Sequence, residues 1–98
     1  MLFIVRFTDK IDSQDLRRQH LGAHLAWLAE RQQSILVAGS LREAPDSNPV
    51  GGIWIVEAAS KSDVAELFES DPFWRNGLRA GVEILHWSKA FPDQQVLV

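Results

Sequence analysis

The sequence contains no cysteine, and this absence excludes several kinds of site at once. Disulfide scaffolds, thiolate zinc sites, iron–sulfur clusters and cysteine nucleophiles all require that residue. Positive charge is also scarce, because 10 Lys and Arg residues face 13 Asp and Glu residues, for a formal net charge of −3. A protein that binds nucleic acid through its phosphates needs an excess of basic side chains. We therefore expect no nucleic-acid partner.

Long apolar runs are absent as well. The apolar run at the amino terminus, Met1-Leu2-Phe3-Ile4-Val5, ends at Arg6. A signal peptide has a longer apolar core, and a membrane span needs about 18 apolar residues. These features predict a cytoplasmic protein with no membrane partner. The 98 residues, 46% of them hydrophobic, suit a single domain over 1–98, with an irregular tail from about residue 92.

The distribution of apolar residues predicts four strands and two helices. Short β-branched and aromatic segments are typical of strands, and longer stretches with helical spacing are typical of amphipathic helices. The strands are expected at Leu2–Phe7, Ile35–Ala38, Ile53–Val56 and Val82–Trp87, and the helices from Asp12 or Ser13 to about Gln33 and over Lys61–Ser70. The order β-α-β-β-α-β is that of the ferredoxin-like α+β fold, in which both helices lie on one face of a four-stranded antiparallel sheet.

The pattern also predicts which surfaces are buried. Four leucines of the first helix recur at helical spacing and are expected to face the sheet: Leu16, Leu21, Leu25 and Leu28. The strands are apolar on both faces; in the first strand Phe3 and Val5 oppose Ile4. Such strands are buried on both sides, and the helices cover only one side. We therefore expect a homodimer in which a second copy of the chain covers the other side.

Two histidines of the first helix are candidates for metal binding or catalysis. His20 and His24 lie four residues apart and share a helix face. This spacing suits zinc, but Leu21 stands where zinc helices carry a glutamate, and no third ligand is evident. We expect neither a metal ion nor an organic cofactor.

His24 is the main candidate for chemistry, and two interpretations of it stay open at this point. It is either a packed histidine at the seam between helix and sheet, or a general base held by a carboxylate. Asp71 is the carboxylate to test, because both helices lie on the same side of the predicted sheet. An aspartate before Pro72 can equally form a turn or bind nearby backbone amides.

Six short motifs follow one another along the chain, and their order and spacing carry a resemblance. They are His24-Leu25-Ala26-Trp27-Leu28, Leu36-Val37-Ala38-Gly39, Gly51-Gly52-Ile53, Asp71-Pro72-Phe73, Gly77-Leu78, and Val82-Glu83-Ile84 followed by Trp87. Together they resemble the YciI-like (YCII-related domain) family, from Met1 to about Phe91. The resemblance implies a dimeric α/β-barrel of ferredoxin-like subunits. It also implies an active site with a His–Asp dyad, which falls on His24 and Asp71.

The chain departs from the family pattern at three positions. Ser40 replaces a usual proline, Leu21 a frequent arginine, and Asn76 a frequent alanine. The missing arginine argues against an anionic substrate, unless Arg17 or Arg18 reaches the cleft. One branch of the family is similar to a dehydrochlorinase that acts on a chlorinated hydroxyhydroquinone, where the dyad would transfer protons during loss of chloride.

Two functional hypotheses follow. In the first, the protein is a small dimeric enzyme in which His24, oriented by Asp71, transfers protons in an elimination or isomerisation. Its substrate is an unknown small organic molecule that Ser40 and Trp74 contact. In the second, a non-catalytic dimer binds a small ligand or assists another protein, and His24 and Asp71 form a structural hydrogen bond.

Overall fold

A computed structural model describes residues 1–96 and shows a four-stranded sheet with three helices. The elements are β1 (Leu2–Asp9), α1 (Gln14–Ala29), β2 (Ile35–Leu41), β3 (Gly51–Glu57), α2 (Lys61–Phe68), α3 (Pro72–Arg75) and β4 (Arg79–Trp87). The strands lie in the order β2-β3-β1-β4, and all neighbouring pairs are antiparallel. The predicted ferredoxin-like fold is confirmed.

The hydrophobic core lies between the sheet and the helices. β1 buries every second residue on this side, namely Phe3, Val5 and Phe7, as the alternation of side chains along a strand requires. β3 adds Trp54 and Val56, and the helices contribute their buried apolar residues: Trp27, Val64, Phe68 and Phe73. The fully enclosed core therefore occupies one face of the sheet only.

The first helix is shorter than predicted. Ser13 is its N-cap residue, but the Ser13 hydroxyl donates to the Lys10 carbonyl at 2.6 Å instead of capping a helical N–H. The helix ends at Ala29, not near Gln33. Residues 30–34 form turns in which the Ser34 N–H donates to the Arg31 carbonyl. These turns lead the chain directly into β2.

The expected leucine face of α1 was wrong at two of its four positions: Leu28 packs against the core and Leu16 is half-buried, but Leu21 and Leu25 are exposed. His24 and Trp27 are the buried residues of this helix, whereas Leu21 and Leu25 are 40% and 54% exposed. The face towards the sheet instead carries Arg17, His24 and Trp27, each of which finds a polar partner on another element. Hydrogen bonds to distant residues therefore set the rotation of the helix, against the leucine pattern.

Several other boundaries differ from the prediction and shape the site. β2 continues past Gly39, which places Ser40 in the sheet opposite Gly52. β4 begins at Arg79 rather than at Val82. Pro72 was expected only to stop the second helix, but it is also the first residue of α3. Proline is favourable at this position because the backbone N–H that it lacks would have no partner inside the helix.

The opposite face of the sheet is not covered within residues 1–96. Leu85 is 51% exposed on this face, and the apolar residues beside it are half-buried: Leu2, Ile4, Ile53 and Ile55. None of the helices in this part of the chain has the length and hydropathy of a membrane-spanning helix. Residues 92–96 of the predicted irregular tail contain neither helix nor strand, and its last two residues lie outside the described part.

Candidate active site

His24 and Asp71 meet at the seam between α1 and α3. His24 lies on the buried face of α1, and Asp71 immediately precedes the first residue of α3. The His24 Nδ1 and Asp71 Oδ1 atoms are 2.6 Å apart, and the Asp71 side chain is completely enclosed. The two residues are 47 positions apart in sequence, so only the packing of the two helices brings them together.

The carboxylate of Asp71 has a second role that restrains it. Its Oδ1 atom also accepts the Phe73 N–H at 3.0 Å, which caps the first turn of α3. Because an ionised carboxylate only accepts hydrogen bonds, the Nδ1 atom of His24 carries the proton in this contact. The Nε2 atom then has a free lone pair, and it forms no hydrogen bond with residues 1–96. This geometry is suitable for a general base.

Aromatic side chains hold the imidazole ring in one orientation. The ring stacks on Phe73 with a centroid separation of 3.9 Å and an angle of 15° between the planes. One turn further along α1, the Trp27 Nε1–H donates to the Ser70 hydroxyl at 2.9 Å. Two neighbouring hydrogen bonds therefore join α1 to the segment that contains Ser70 and Asp71. The bond to Asp71 involves a carboxylate, and the bond to Ser70 is between neutral groups.

A buried ion cluster lies beside this seam. The Asp9 carboxylate binds Arg79 through Oδ1 and Arg17 through Oδ2, each at 2.7 Å. Arg17 also donates to the Gly51 carbonyl at 3.2 Å. Both guanidinium groups lie 5.1 Å from the centre of the Phe73 ring that stacks on His24. The dyad and the ion cluster therefore share an aromatic neighbour.

Sequence reasoning did not identify Asp9 and Arg79 as site residues. A usable signal was present for Asp9, because the alternation of Phe3, Val5 and Phe7 continues to position 9 and places that carboxylate on the helix side. No comparable pattern marks Arg79, whose partner lies 70 residues away. Arg17 had been considered only as a residue that reaches the cleft.

The other predicted site residues are not brought to the dyad. The Ser40 hydroxyl accepts a hydrogen bond from Arg42 at the edge of the sheet. Trp74 packs its ring 4.5 Å from that of Phe68. Their contact with a substrate stays a prediction. Within residues 1–96, no three His, Asp or Glu side chains are grouped so that they could hold a metal ion.

Two surface grooves of about 510 and 270 Å³ lie away from the dyad. The larger groove is beside His86 and Trp87 at the end of β4, and the smaller lies between α1 and β2 beside Leu25 and Leu36. Neither groove is lined by His24 or Asp71, and His24 is 6% exposed.

The fold is that of an α+β protein, and the chain belongs to the YCII-related domain family, which matches residues 1–88. Among solved structures, the chain is similar to the 5-chloro-2-hydroxyhydroquinone dehydrochlorinase TftG from Burkholderia phenoliruptrix AC1100, in complex with 2,5-dihydroxybenzoquinone. The two are 32% identical with a TM-score of 0.81, and the match covers 90% of this chain and 94% of the other.

A more distant likeness supports the fold alone. SnoaB, a cofactor-independent oxygenase from Streptomyces nogalater, is 16% identical with a TM-score of 0.54. That match covers 94% of this chain and 96% of SnoaB. A search of curated proteins found no match.

Proposed function

We propose that this protein is a small-molecule enzyme in which His24 and Asp71 form a dyad for general acid/base proton transfer. The observation that carries the proposal is the 2.6 Å contact between Nδ1 and Oδ1, with Nε2 left without a partner in residues 1–96. Asp71 holds the ring and balances the positive charge that the imidazole gains when it accepts a proton. The step needs neither a metal ion nor an organic cofactor.

The reaction class that suits this dyad is an elimination or an isomerisation. The Nε2 atom takes a proton from an acidic group of the substrate, either a hydroxyl or a carbon beside a carbonyl, and the electrons of the broken bond move into the substrate. In the dehydrochlorination of a hydroxyhydroquinone, one hydroxyl proton moves to the ring carbon that carries chlorine, which gives a ketone. A second hydroxyl then loses its proton, its electrons form a new C=O bond, the ring double bonds shift, and chloride leaves with the electrons of the C–Cl bond. The 32% identity with a dehydrochlorinase over 90% of the chain supports this class.

Chloride release from 5-chloro-2-hydroxyhydroquinone tests the proposal. We expect the His24→Ala variant to be slower by about 10²–10⁴-fold, the usual contribution of a positioned proton-transfer group. His20→Ala is the matched control, because His20 lies one turn earlier in α1 and makes no contact with Asp71; its rate should stay within about twofold. A His24→Ala variant with the wild-type rate would contradict the proposal.

A second assay avoids the leaving group altogether. The ring C–H hydrogens of 2,5-dihydroxybenzoquinone exchange with deuterium by proton transfer alone, and NMR follows their loss. The wild-type protein should accelerate this exchange, and the His24→Ala variant should not. Agreement between the two assays would assign the loss to proton transfer rather than to chloride departure.

The alternative hypothesis is a non-catalytic protein that binds a small ligand, with His24 and Asp71 as a structural pair. The capping bond from Phe73 to Asp71 favours it, since the same carboxylate also begins a helix. On this hypothesis neither assay shows a difference between the wild type and the His24→Ala variant.

We also propose a homodimer in which a second copy covers the open face of the sheet. The half-exposed apolar side chains on this face support it, because exposed patches of this kind often mark contact surfaces. Leu85→Glu should shift sedimentation at micromolar concentration from dimer to monomer. Leu25→Glu is the control, because it places the same charge on a similarly exposed leucine of α1. A monomeric wild type would contradict the proposal.

A further inference from the structure

The Arg79 guanidinium carries N–H groups that have no hydrogen-bond partner in residues 1–96, and the proposed dyad does not account for them. Its side chain is 2% exposed, and only Nη1 has a partner, the Asp9 carboxylate. The Nε atom is fully buried without a partner, and Nη2 forms no hydrogen bond with residues 1–96. Burial lowers the pKa of Arg79, and the bond to Asp9 opposes this effect. An unsatisfied buried donor costs about 1–3 kcal/mol, so this arrangement does not serve stability alone.

The residue beside the unpaired edge of Arg79 is a glycine. A Cβ atom at Gly52 would lie 3.4 Å from Arg79 Nη2 and 3.1 Å from the Gly39 carbonyl oxygen. Gly52 lies two residues before Trp54, on the side of β3 that faces the helices. The lack of a side chain at this position therefore lets the guanidinium lie against the backbone of β3, and any side chain there would press on the guanidinium and on the Gly39 carbonyl.

Arg79 and the dyad also belong to one electrostatic environment. The Phe73 ring stacks on His24, and the Arg79 guanidinium lies 5.1 Å from the centre of the same ring. Asp9 is already shared with Arg17, so its one negative charge is divided between two guanidinium groups. Asp71 is close enough to act on Arg79 through space, but the two side chains share no hydrogen bond.

We propose that Arg79 is the anion-binding residue of this site and that it receives the negatively charged oxygen of the substrate. The inference rests on the proposed function and specifies its substrate class. The substrates are small molecules in which the group that loses its proton is a phenolic hydroxyl or a carbon beside a carbonyl, so that the negative charge forms on oxygen.

The charges of the reaction then balance within the site. When the O–H bond, or a C–H bond beside a carbonyl, breaks, the proton goes to His24 Nε2 and the electron pair gives an oxyanion, on the hydroxyl oxygen itself or on the carbonyl oxygen. The imidazolium is opposite Asp71, and the oxyanion is opposite Arg79. The electrons return from the oxygen when the leaving group departs with its bonding pair. Arginine suits this role because its charge persists when it is buried and its N–H groups are held in one plane.

Two ligands with the same ring size test the inference in the wild-type protein. 2,5-Dihydroxybenzoquinone carries acidic hydroxyls and is an anion at neutral pH, whereas hydroquinone is neutral. Calorimetric titration should show that the anion binds at least tenfold more tightly. Equal affinity for the two ligands, or tighter binding of hydroquinone, would overturn the inference without any variant.

Arg79→Gln should remove this preference, with at least a tenfold loss of affinity for the anion and less than a twofold change for hydroquinone. Arg18→Gln is the matched control, because Arg18 is exposed and pairs with Asp15 on the surface of α1. Arg79→Gln should still fold, since Asp9 keeps Arg17 as a partner. If it does not fold, Arg79→Lys retains the charge, and the preference for the anion should persist in weaker form. A folded Arg79→Gln variant that keeps the full preference would refute the role of Arg79.

The failure of this inference can be separated from the failure of the proposed function. His24→Ala should lose chloride release but keep the preference for the anion, because Arg79 is intact. If His24→Ala instead keeps its activity while Arg79→Gln loses the preference, the anion site stands and the dyad mechanism is wrong. If His24→Ala loses activity and Arg79→Gln keeps the preference, the dyad stands and the anion site is wrong.

Discussion

Asp9 and Asp71 are both buried carboxylates, yet their surroundings differ. Each oxygen of Asp9 binds a guanidinium group, one from Arg17 and one from Arg79. Asp71 uses a single oxygen for His24 and a backbone N–H, and its Oδ2 atom is buried without a partner. One carboxylate thus has permanent cationic partners, whereas the other has a partner whose charge can change.

The difference indicates different roles. The charge of Asp9 is offset whether or not a substrate is present, so its contribution belongs to folding and to the placement of Arg79. The charge of Asp71 meets a full positive charge only when His24 has accepted a proton. On the proposed mechanism, a buried carboxylate of this second kind stabilises the protonated intermediate more than it stabilises the resting protein. Substitutions at the two positions should therefore separate stability from activity.

Asp9→Ala should have the largest effect on stability. It leaves Arg17 and Arg79 as buried like charges without their common partner. Loss of one partner from a buried ion pair typically costs about 3–5 kcal/mol. Urea unfolding followed by tryptophan fluorescence would measure this as a decrease in the free energy of unfolding.

The control for this substitution is Asp15→Ala. Asp15 pairs with Arg18 on the surface of α1, and both side chains are more than two-thirds exposed. Exposed ion pairs contribute about 0–1 kcal/mol, so the variant should unfold nearly as the wild type does. Similar losses in the two variants would mean that Asp9 does not act as the buried centre of an ion cluster.

Much of the fold could be predicted from the sequence because its signals are local. The alternating apolar residues of β1 and β3, and the loop with two prolines between β2 and β3, depend on neighbouring residues only. The rotation of α1 could not be predicted in this way. It depends on where Asp9, Asp71 and Ser70 lie in space, and the exposed Leu25 shows that a regular leucine spacing alone does not identify the buried face.

The candidate site likewise contains one contact that could be expected from the sequence and one that could not. The pairing of His24 with Asp71 was a testable expectation, because the topology places both helices on one side of the sheet and the family resemblance indicates the two residues. The bond between Asp9 and Arg79 spans 70 residues and joins two strand ends whose boundaries were predicted too short. A contact of this kind becomes visible only when the register of β1 and β4 is known.

Asp71→Asn tests the contrast between the two carboxylates and should destabilise the protein less than Asp9→Ala does. The asparagine carbonyl oxygen can still accept the Phe73 N–H, so the first turn of α3 keeps its cap. A neutral amide cannot balance an imidazolium, and it can leave the ring in the wrong tautomer. We expect chloride release to fall by about 10²–10⁴-fold, whereas the free energy of unfolding should fall by about 1–3 kcal/mol, less than for Asp9→Ala.

Ser70→Ala is the matched control, because it removes the neutral hydrogen bond that joins α1 to the residue just before Asp71. Loss of this bond to Trp27 should cost about 1 kcal/mol and leave chloride release unchanged. If Ser70→Ala reduced chloride release as much as Asp71→Asn, the activity would depend only on how firmly the two segments are joined. If only Asp71→Asn reduces it, the charge beside His24 is what the reaction requires, and the contrast between the two carboxylates is one of function.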